Sequence, residues 1–393
     1  MQGEVLSPIF FSFYVNDCEV SFIKDGCIPV QCRELSLFLL MYADAMVIFS
    51  ESIVGLQQML DSLYTYTRKW SLCVNTDKTK ILIIRNRGEI KSDEKWNYGD
   101  CNLEIINSFC YLGLMLYYNG NFNGTQKQLS SQGLKAMYSL LSNTKKYHLN
   151  VFTNLSLFDT YVNSVLSYAC EIWGHHPAPD IEKIHVKYCK RLLSVKNSTN
   201  SALVYMETGR LPLSTYRRIR MFKYWFKLLS TDNCILKSMY NVLLTACESG
   251  RNFKLNWVNF IKTELNALGL GYMWSFQDQL SINTCLPIIV QQITDAAKQN
   301  VLSNLESSRC FLYRHLVDNH DLQYYLTKNM EPRFQKCISK IRMSSHMLEV
   351  EKGRHFKIPH SKRICRLCKK LIEDEFHFIL VCPSYCNLRK KVH

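Results

Sequence analysis

The sequence lacks any apolar run that approaches the roughly 20 residues needed for a membrane-spanning helix. Its N-terminus also lacks a basic segment followed by an apolar one, so no secretory signal is predicted. The 17 cysteines are scattered and odd in number. Without an export signal, this usage favours reduced thiols and metal ligands over a disulfide framework. We therefore expect an intracellular protein with no membrane segment.

Acidic residues are also few, with 33 Asp and Glu against 48 Lys and Arg. The formal net charge is +15 and the sequence pI is about 9.0. Such an excess suits a polyanionic partner, RNA or DNA, because Lys and Arg displace condensed counterions from phosphates. Hydrophobic residues make up 47% of the chain and aromatic residues 12%, which argues against disorder. At 393 residues, we expect two or three domains.

Two short apolar runs flank a single acid, Asp44, within residues 37–50. Such runs on either side of a polar break predict a buried β-hairpin with its tip at residues 42–45, Tyr-Ala-Asp-Ala. A carboxylate in so apolar a stretch is costly unless it is paired or binds a metal ion. The alternative is that Asp44 only caps its own turn.

Four short patterns, in the right order and spacing, resemble reverse transcriptases of non-LTR (LINE-type) retrotransposons. Residues 2–11, which begin Gln-Gly-Glu-Val, resemble motif B of that family. Residues 42–45 fall where the family has its Tyr-x-Asp-Asp box. Residues 75–80 resemble motif D, and residues 109–113 resemble the next element of the palm.

The resemblance implies a role for several residues of this chain. Gln2 and Gly3 would lie at the template and primer, where glycine allows close approach of the backbone. Tyr42 and Asp44 would belong to the catalytic centre, with Asp44 as a remaining metal ligand. Lys78 would approach the incoming nucleotide, unless it is simply a solvated lysine before a strand.

The same resemblance predicts that catalysis has been lost. The family is an RNA-directed DNA polymerase, whose two metal ions activate the primer hydroxyl and stabilise the leaving pyrophosphate. Here the second acid of the box is Ala45. The chain also begins inside motif B, so we expect a truncated C-terminal fragment without the motif A aspartate. One carboxylate cannot hold two divalent ions about 4 Å apart, and we expect Mg²⁺ not to be bound productively.

The implied fold class is α+β: a partial palm of a β-hairpin plus helices, a mostly α-helical thumb and linker, and a small C-terminal zinc knuckle. We accordingly divide the chain into a partial palm at residues 1–118 and a helical thumb and linker at 119–231. A helical connector at 232–360 and the zinc knuckle at 361–393 complete it.

The spacing of apolar residues predicts individual elements inside these segments. Helices are predicted at residues 52–70, 125–145 and 180–194, because apolar side chains recur every three or four positions. The aliphatic run at residues 81–84 predicts a buried strand. The resemblance implies that residues 108–117 form the last palm strands.

A basic cluster, Arg217, Arg218, Arg220 and Lys223, is interleaved with aromatic residues. This composition suits a surface that follows phosphates and stacks bases, with Arg217 and Arg218 as contacts to template or primer. The alternative is an ordinary helix with an aromatic core face and a solvated basic face. Spacing alone leaves both interpretations open.

The C-terminal region contains the pattern Cys-x2-Cys-x8-His-x4-Cys, formed by Cys365, Cys368, His377 and Cys382. Three thiolates and an imidazole at these spacings suit tetrahedral Zn²⁺ in a structural role. Cys386 is an alternative fourth ligand. We expect residues 373–378 to start a short helix that orients the histidine. We also expect Phe376, Phe378 and Leu380 to form a small core, which bound metal would stabilise.

The zinc pattern also resembles the Cys-Cys-His-Cys motif near the C-terminus of LINE-type proteins, and basic residues around it make nucleic-acid contact plausible. Three hypotheses remain. The chain is a truncated, inactive reverse transcriptase that retains nucleic-acid binding; or a domesticated zinc- and nucleic-acid-binding protein; or an active polymerase whose motif A comes from an upstream exon. The family implies a nuclear location.

Overall fold

The protein is described here by a computed structural model, which covers residues 6–85, 94–250, 256–306, 311–317, 319–328 and 330–391. The chain divides into two compact units, each built from two stretches of sequence. Unit 1 consists of Met1–Thr125 and Phe222–Leu280, and unit 2 of Gln126–Met221 and Ser281–His393. Within the described ranges no helix is long and apolar enough to cross a membrane.

Helices dominate both units. The α-helices of the described residues are α1 (Ser7–Tyr14), α2 (Cys18–Lys24), α3 (Ile53–Lys69), α4 (Asn123–Thr144), α5 (Val151–Phe158), α6 (Ser164–Leu166), α7 (Cys170–Trp173), α8 (Pro179–Leu192), α9 (Ser201–Thr208), α10 (Leu213–Leu229), α11 (Cys234–Glu248), α12 (Trp257–Ala267), α13 (Gly271–Ser275), α14 (Ile282–Glu306), α15 (Phe311–Arg314), α16 (Tyr324–Thr327), α17 (Pro332–Arg342), α18 (Glu349–His355) and α19 (Cys386–Arg389). Helical turns of other types lie at Asp159–Asn163, Gln277–Gln279, His360–Lys362, His377–Val381 and Pro383–Tyr385.

The strands that the described ranges contain are short, and they all lie in unit 1. They are β1 (Val30–Cys32), β2 (Leu35–Leu37), β3 (Leu39–Tyr42), β4 (Ala45–Ile48), β5 (Lys80–Leu82), β6 (Asn97–Tyr98), β7 (Cys101–Asn102), β8 (Glu104–Ile106), β9 (Ser108–Tyr111) and β10 (Leu114–Tyr117). Four antiparallel pairs join β1 to β2, β3 to β4, β6 to β7, and β9 to β10, while β5 and β8 pair in parallel. The expected mixture of helices and strands is therefore confirmed.

The hairpin of β3 and β4 confirms the prediction for residues 37–50. Tyr42 pairs with Ala45, which leaves Ala43 and Asp44 as a two-residue turn. Ala43 adopts a left-handed backbone conformation, with φ of 53°. The strands are half-buried or exposed rather than buried as predicted, because only one face of this two-stranded sheet packs on the core.

The core of unit 1 forms around α3. This helix begins after Ser52, whose side chain accepts a hydrogen bond from the backbone N–H of Gly55 and so caps the first turn. Its buried side chains Met59, Leu60 and Leu63 recur at helical spacing, as predicted for residues 52–70. They share a cluster with residues from α2, from β5, and from the segments beside β3, β6 and β8: Phe22, Phe38, Ile81, Trp96, Tyr98 and Leu103.

Several other predicted elements are present with altered ends. The helix predicted at residues 125–145 is α4, and that at 180–194 is α8, with Ile181 and Tyr188 fully buried. The strand predicted at 81–84 is shorter, because Ile84 is exposed. Residues 108–117 form the hairpin of β9 and β10.

The first helix, α1, has no buried residue although most of its side chains are apolar. Ile9, Phe10 and Phe13 are each more than half exposed. Single exposed apolar residues are normal on soluble proteins, but a helix apolar at nearly every position is not.

Unit 2 contains a fully buried carboxylate, that of Glu207 at the end of α9. It accepts hydrogen bonds from the guanidinium of Arg342 at 2.7 Å and from the hydroxyls of Tyr313 and Tyr325 at 2.7 and 2.6 Å. A buried charge is tolerated when it is paired and hydrogen-bonded in this way. The network thus joins α9 to α15, α16 and α17.

Helix α4 contacts the core of unit 2 through a glycine. A Cβ atom at Gly133 would lie 2.2 Å from Cδ2 of Leu166, whose side chain is fully buried and cannot move aside freely. We expect Gly133→Leu to lower the free energy of unfolding by about 3 kcal/mol through overpacking. Ser131→Leu, on the exposed face of the same helix, should change it by less than about 1 kcal/mol. Urea unfolding of both variants checks this, and equal stabilities would contradict the packing described here.

Candidate functional site

The predicted polymerase box lies at the tip of the β3–β4 hairpin. Tyr42 ends β3 with its side chain 66% exposed, and Asp44 is exposed in the turn. The neighbouring position is Ala45, which has no oxygen to offer a cation. Among the described residues, the only group of three or more His, Cys, Asp or Glu side chains that could hold a metal lies elsewhere and does not include Asp44.

The residues at this tip therefore do not fit a pair of Mg²⁺ ions, which need several carboxylates. Another acid of unit 1, Asp17, is already engaged, since its carboxylate accepts a hydrogen bond from the hydroxyl of Tyr66 at 2.5 Å. No step of nucleotide addition can be assigned to Asp44 by itself.

The motif D segment forms a turn before β5. The backbone N–H of Lys78 donates to the side chain of Asn75 at 3.0 Å, and the Lys78 side chain is exposed. Lys80 is instead paired with Glu104 at 2.7 Å. No hydrogen bond or ion pair in the described part of the chain joins Lys78 to Asp44. Gln2 and Gly3, the predicted motif B contacts, lie outside the described residues.

The two arginines predicted to contact template or primer, both on α10, have different environments. Arg217 is 1% exposed, and its guanidinium pairs with the carboxylate of Glu182 at 3.0 Å and lies over the ring of Trp173. In this position Arg217 cannot meet a phosphate, so its predicted template contact is not supported. Arg218 is half-buried and lines a cavity of about 310 Å³ with residues of α9 and α14.

The alternative for this basic cluster, an aromatic core face and a solvated basic face, holds only in part. Phe222, Trp225 and Phe226 are buried, as that interpretation requires. Arg220, however, is paired with Glu171 at 2.6 Å. Of the four basic residues only Lys223 is exposed, so they do not form one continuous solvated face.

The four predicted zinc ligands do come together. Cys365 and Cys368 lie in a tight turn, in which the backbone N–H of Lys369 donates to the carbonyl of Cys365 at 2.9 Å. Lys369 itself takes a left-handed conformation with φ of 56°. The N–H of Cys365 then donates to the carbonyl of Leu371 at 2.8 Å, which closes a small hairpin. This is the knuckle that the Cys-x2-Cys spacing predicts.

The other two ligands are positioned by a short helical turn. The carboxylate of Asp374 accepts a hydrogen bond from the backbone N–H of His377 at 2.7 Å and so caps the helical stretch that begins at residue 375. The N–H of Cys382 donates back to the carbonyl of His377 at 2.7 Å. The prediction that residues 373–378 start a helix and orient the histidine is therefore confirmed.

The donor atoms are spaced as a tetrahedral ion requires. All four lie within 4.8 Å of one another, and the sulfur atoms of Cys365 and Cys382 are 3.9 Å apart. A regular tetrahedron with Zn–S bonds of about 2.3 Å has edges of about 3.8 Å. Nε2 of His377 is 3.3 Å from the sulfur of Cys368, so it is the nitrogen that faces the centre. Cys386, the alternative ligand, is exposed and lies outside this group.

Electrostatics in the turn favour a thiolate. Backbone N–H groups, first that of Lys370, lower the pKa of the Cys368 thiol to about 6. Burial instead raises the pKa of Cys365. Because the thiolate is the form that binds metal, Cys368 is prepared for coordination before an ion arrives.

The knuckle is held by polar contacts that sequence analysis missed. Phe376 and Leu380 are about 60% exposed, so they do not form the predicted small core. Instead the Glu373 carboxylate accepts from the N–H of Glu349 at 2.9 Å, and Arg363 donates to the carbonyls of Ile358 and Val350. The sequence did indicate such contacts, because the charged residues Arg363 and Glu373 flank the Cys-x2-Cys pair. Their partners lie in α18 and just after it, and spacing could not predict them.

Comparison with known families supports the first part of the sequence interpretation. Residues 1–116 match the family described as "Reverse transcriptase (RNA-dependent DNA polymerase)". This segment contains β3, β4 and the Asp44 turn. No curated protein matches the chain.

The zinc centre is tested by removal of a ligand. We expect the purified chain to contain one zinc per molecule, and Cys365→Ser to lose it and to lower Tm by at least about 5 °C, because metal binding contributes directly to folding. Cys386→Ser should keep both the metal and Tm. Elemental analysis and thermal unfolding with and without chelator measure these effects. Retention of zinc by Cys365→Ser would rule out this ligand set.

The burial of Arg217 is tested separately. Arg217→Gln leaves the Glu182 carboxylate without its cation, and we expect the free energy of unfolding to fall by about 3 kcal/mol. Arg218→Gln, one residue along and less buried, should cost less than about 1 kcal/mol. If Arg217→Gln instead kept full stability and weakened nucleic-acid binding, the template contact would be restored as its role.

Proposed function

We propose that this protein binds RNA or DNA through a reverse-transcriptase-type palm and a C-terminal zinc knuckle, and that it does not synthesise DNA. The observation that carries the proposal is the composition of the hairpin tip within the matched segment. A turn at this position presents one exposed carboxylate, Asp44, followed by Ala45. The segment therefore matches the family in sequence, but its hairpin tip lacks the second acid that would help to hold two metal ions.

Nucleic-acid binding is supported by charge. The excess of 15 positive charges suits a polyanion. Near the knuckle, exposed basic side chains belong to Lys369, Lys370, Lys390 and Lys391, while exposed Arg366 is paired with Glu349 at 2.7 Å. Two other basic residues of that region, Arg363 and Arg389, donate to backbone carbonyls and so support the fold of the module.

The zinc ion has a structural role in this proposal. Bound metal supplies the cross-link that holds two short turns together. The four protein ligands fill a tetrahedral shell and leave no position for water or substrate. Its removal should therefore impair binding by unfolding the knuckle rather than by removing a reactive group.

Two finer points also belong to this proposal. The patterns at residues 2–11, 42–45, 75–80 and 109–113 favour a LINE-type origin among reverse transcriptases. Such an origin would place the protein in the nucleus, the location that the family implies.

The proposal predicts separate outcomes for binding and for synthesis. We expect the zinc-loaded chain to bind single-stranded RNA or DNA with an affinity that falls steeply as salt concentration rises. In primer extension on a homopolymer template, we expect no product with Mg²⁺ or Mn²⁺. Ala45→Asp should also give none, because among the described residues no further acid joins Asp44 in a metal-binding group.

Each result has a matched control. Cys386→Ser should bind nucleic acid as the native chain does, whereas Cys365→Ser should bind more weakly. Extension by the native chain would overturn the loss of catalysis. A chain that is folded and loaded with zinc but binds neither RNA nor DNA would overturn the proposed function.

A further inference from the structure

Unit 2 contains a cavity of about 480 Å³ beside the zinc knuckle. Its walls come from residues just after α8, from α17, from the segment leading into α18, and from Phe378 of the knuckle. This volume lies in the range of pockets that hold small organic ligands. None of the residues used above for the polymerase box or for metal binding lines it.

The interior of this cavity is mainly apolar. Val195, Ile341, Met347, Leu348 and Phe378 supply most of the wall. Met347 is 69% exposed, so the cavity opens to solvent on that side. An open apolar cavity with an aromatic ring in its wall suits a flat, largely apolar group.

The polar groups of the cavity favour a negative charge. Lys196 and Lys340 line it, and no Asp or Glu does so among the described residues. Lys196 is held in place, since its ammonium group donates to the carbonyl of His346 at 2.8 Å. Lys340 is exposed on α17, with exposed Lys336 one turn earlier. An apolar slot with cations on one side matches a base joined to phosphates.

The zinc knuckle fixes one side of the cavity. Phe378 directly follows the metal ligand His377. Three residues before it, the carboxylate of Glu375 is hydrogen-bonded to Nε2 of His346, which lines the cavity, and to the hydroxyl of Ser344, both at 2.8 Å. The cavity should therefore keep its shape only when the knuckle is folded.

We propose that this cavity takes an unpaired base of a single-stranded nucleic acid, with the neighbouring phosphates near Lys340 and Lys336. The inference rests on the proposed function and deepens it by naming the part of the ligand that is held. Stacking of a base on an aromatic wall tolerates any sequence and excludes bases that are paired inside a duplex. Wild-type protein should then prefer single strands that carry bases.

The experiment distinguishes the contribution of the bases to binding from that of the phosphates. Binding of the full zinc-loaded chain is measured by fluorescence anisotropy with an oligodeoxyadenylate and with an abasic strand of the same length. We expect about tenfold tighter binding of the strand with bases, the size of one stacked base. Cys337→Leu places a larger side chain at the exposed edge of the cavity and should reduce this preference by at least about threefold. Cys337→Ser, at the same position without added volume, should retain it.

The outcomes distinguish this inference from the proposed function. Binding of neither strand would overturn both. Equal binding of the two strands by the native chain, or a preference that Cys337→Leu leaves unchanged, would overturn the base site and leave nucleic-acid binding intact. Displacement of the strand from the cavity by an acidic apolar peptide, without any preference for bases, would assign the cavity to a protein partner and overturn the inference.

Discussion

The buried carboxylate of Glu207 is the interaction on which unit 2 depends most. It is fully removed from water, and the ion pair with Arg342 and the hydroxyls of Tyr313 and Tyr325 are what make its charge tolerable. Glu207 in turn affects the tyrosines. Burial raises the pKa of Tyr313 and Tyr325, and the negative charge of Glu207 raises it further, so both hydroxyls stay protonated and donate hydrogen bonds. Because Arg342 ends α17, this carboxylate also sets the position of the helix that carries Lys340 and Cys337.

The two candidate sites differ in how the chain supports them. In the β3–β4 hairpin, the strands pair down to a two-residue turn, and the tip presents a single acid, Asp44, beside Ala45. At the C-terminal knuckle, all four candidate ligands lie together, and capping and backbone hydrogen bonds hold them rather than a core of their own. The hairpin therefore has the backbone geometry of the predicted site without its acids, whereas the Cys/His group has all the donor atoms that a structural ion needs.

Local patterns were enough to predict much of this architecture. Helix α3 follows from apolar residues at helical spacing after a serine cap, and the hairpin at Asp44 follows from two apolar runs and a break. The grouping of the four candidate zinc ligands follows from spacing, since the Cys-x2-Cys pair determines its own turn. What could not be predicted depends on partners far along the chain: Arg217 looks solvated until Glu182, 35 residues earlier, is placed beside it. Local periodicity also could not predict that each unit is assembled from two separated stretches of the chain.

The exposed apolar helix α1 has a practical consequence. Contact between α1 and another apolar surface removes both surfaces from water and lowers the free energy of the system. The other surface can belong to a neighbouring molecule, a detergent or a chaperone. Concentrated solutions of the isolated chain will therefore tend toward reversible association through its first helix. In a cell, quality control would recognise the same helix, so the abundance of the protein would depend on how quickly α1 is shielded.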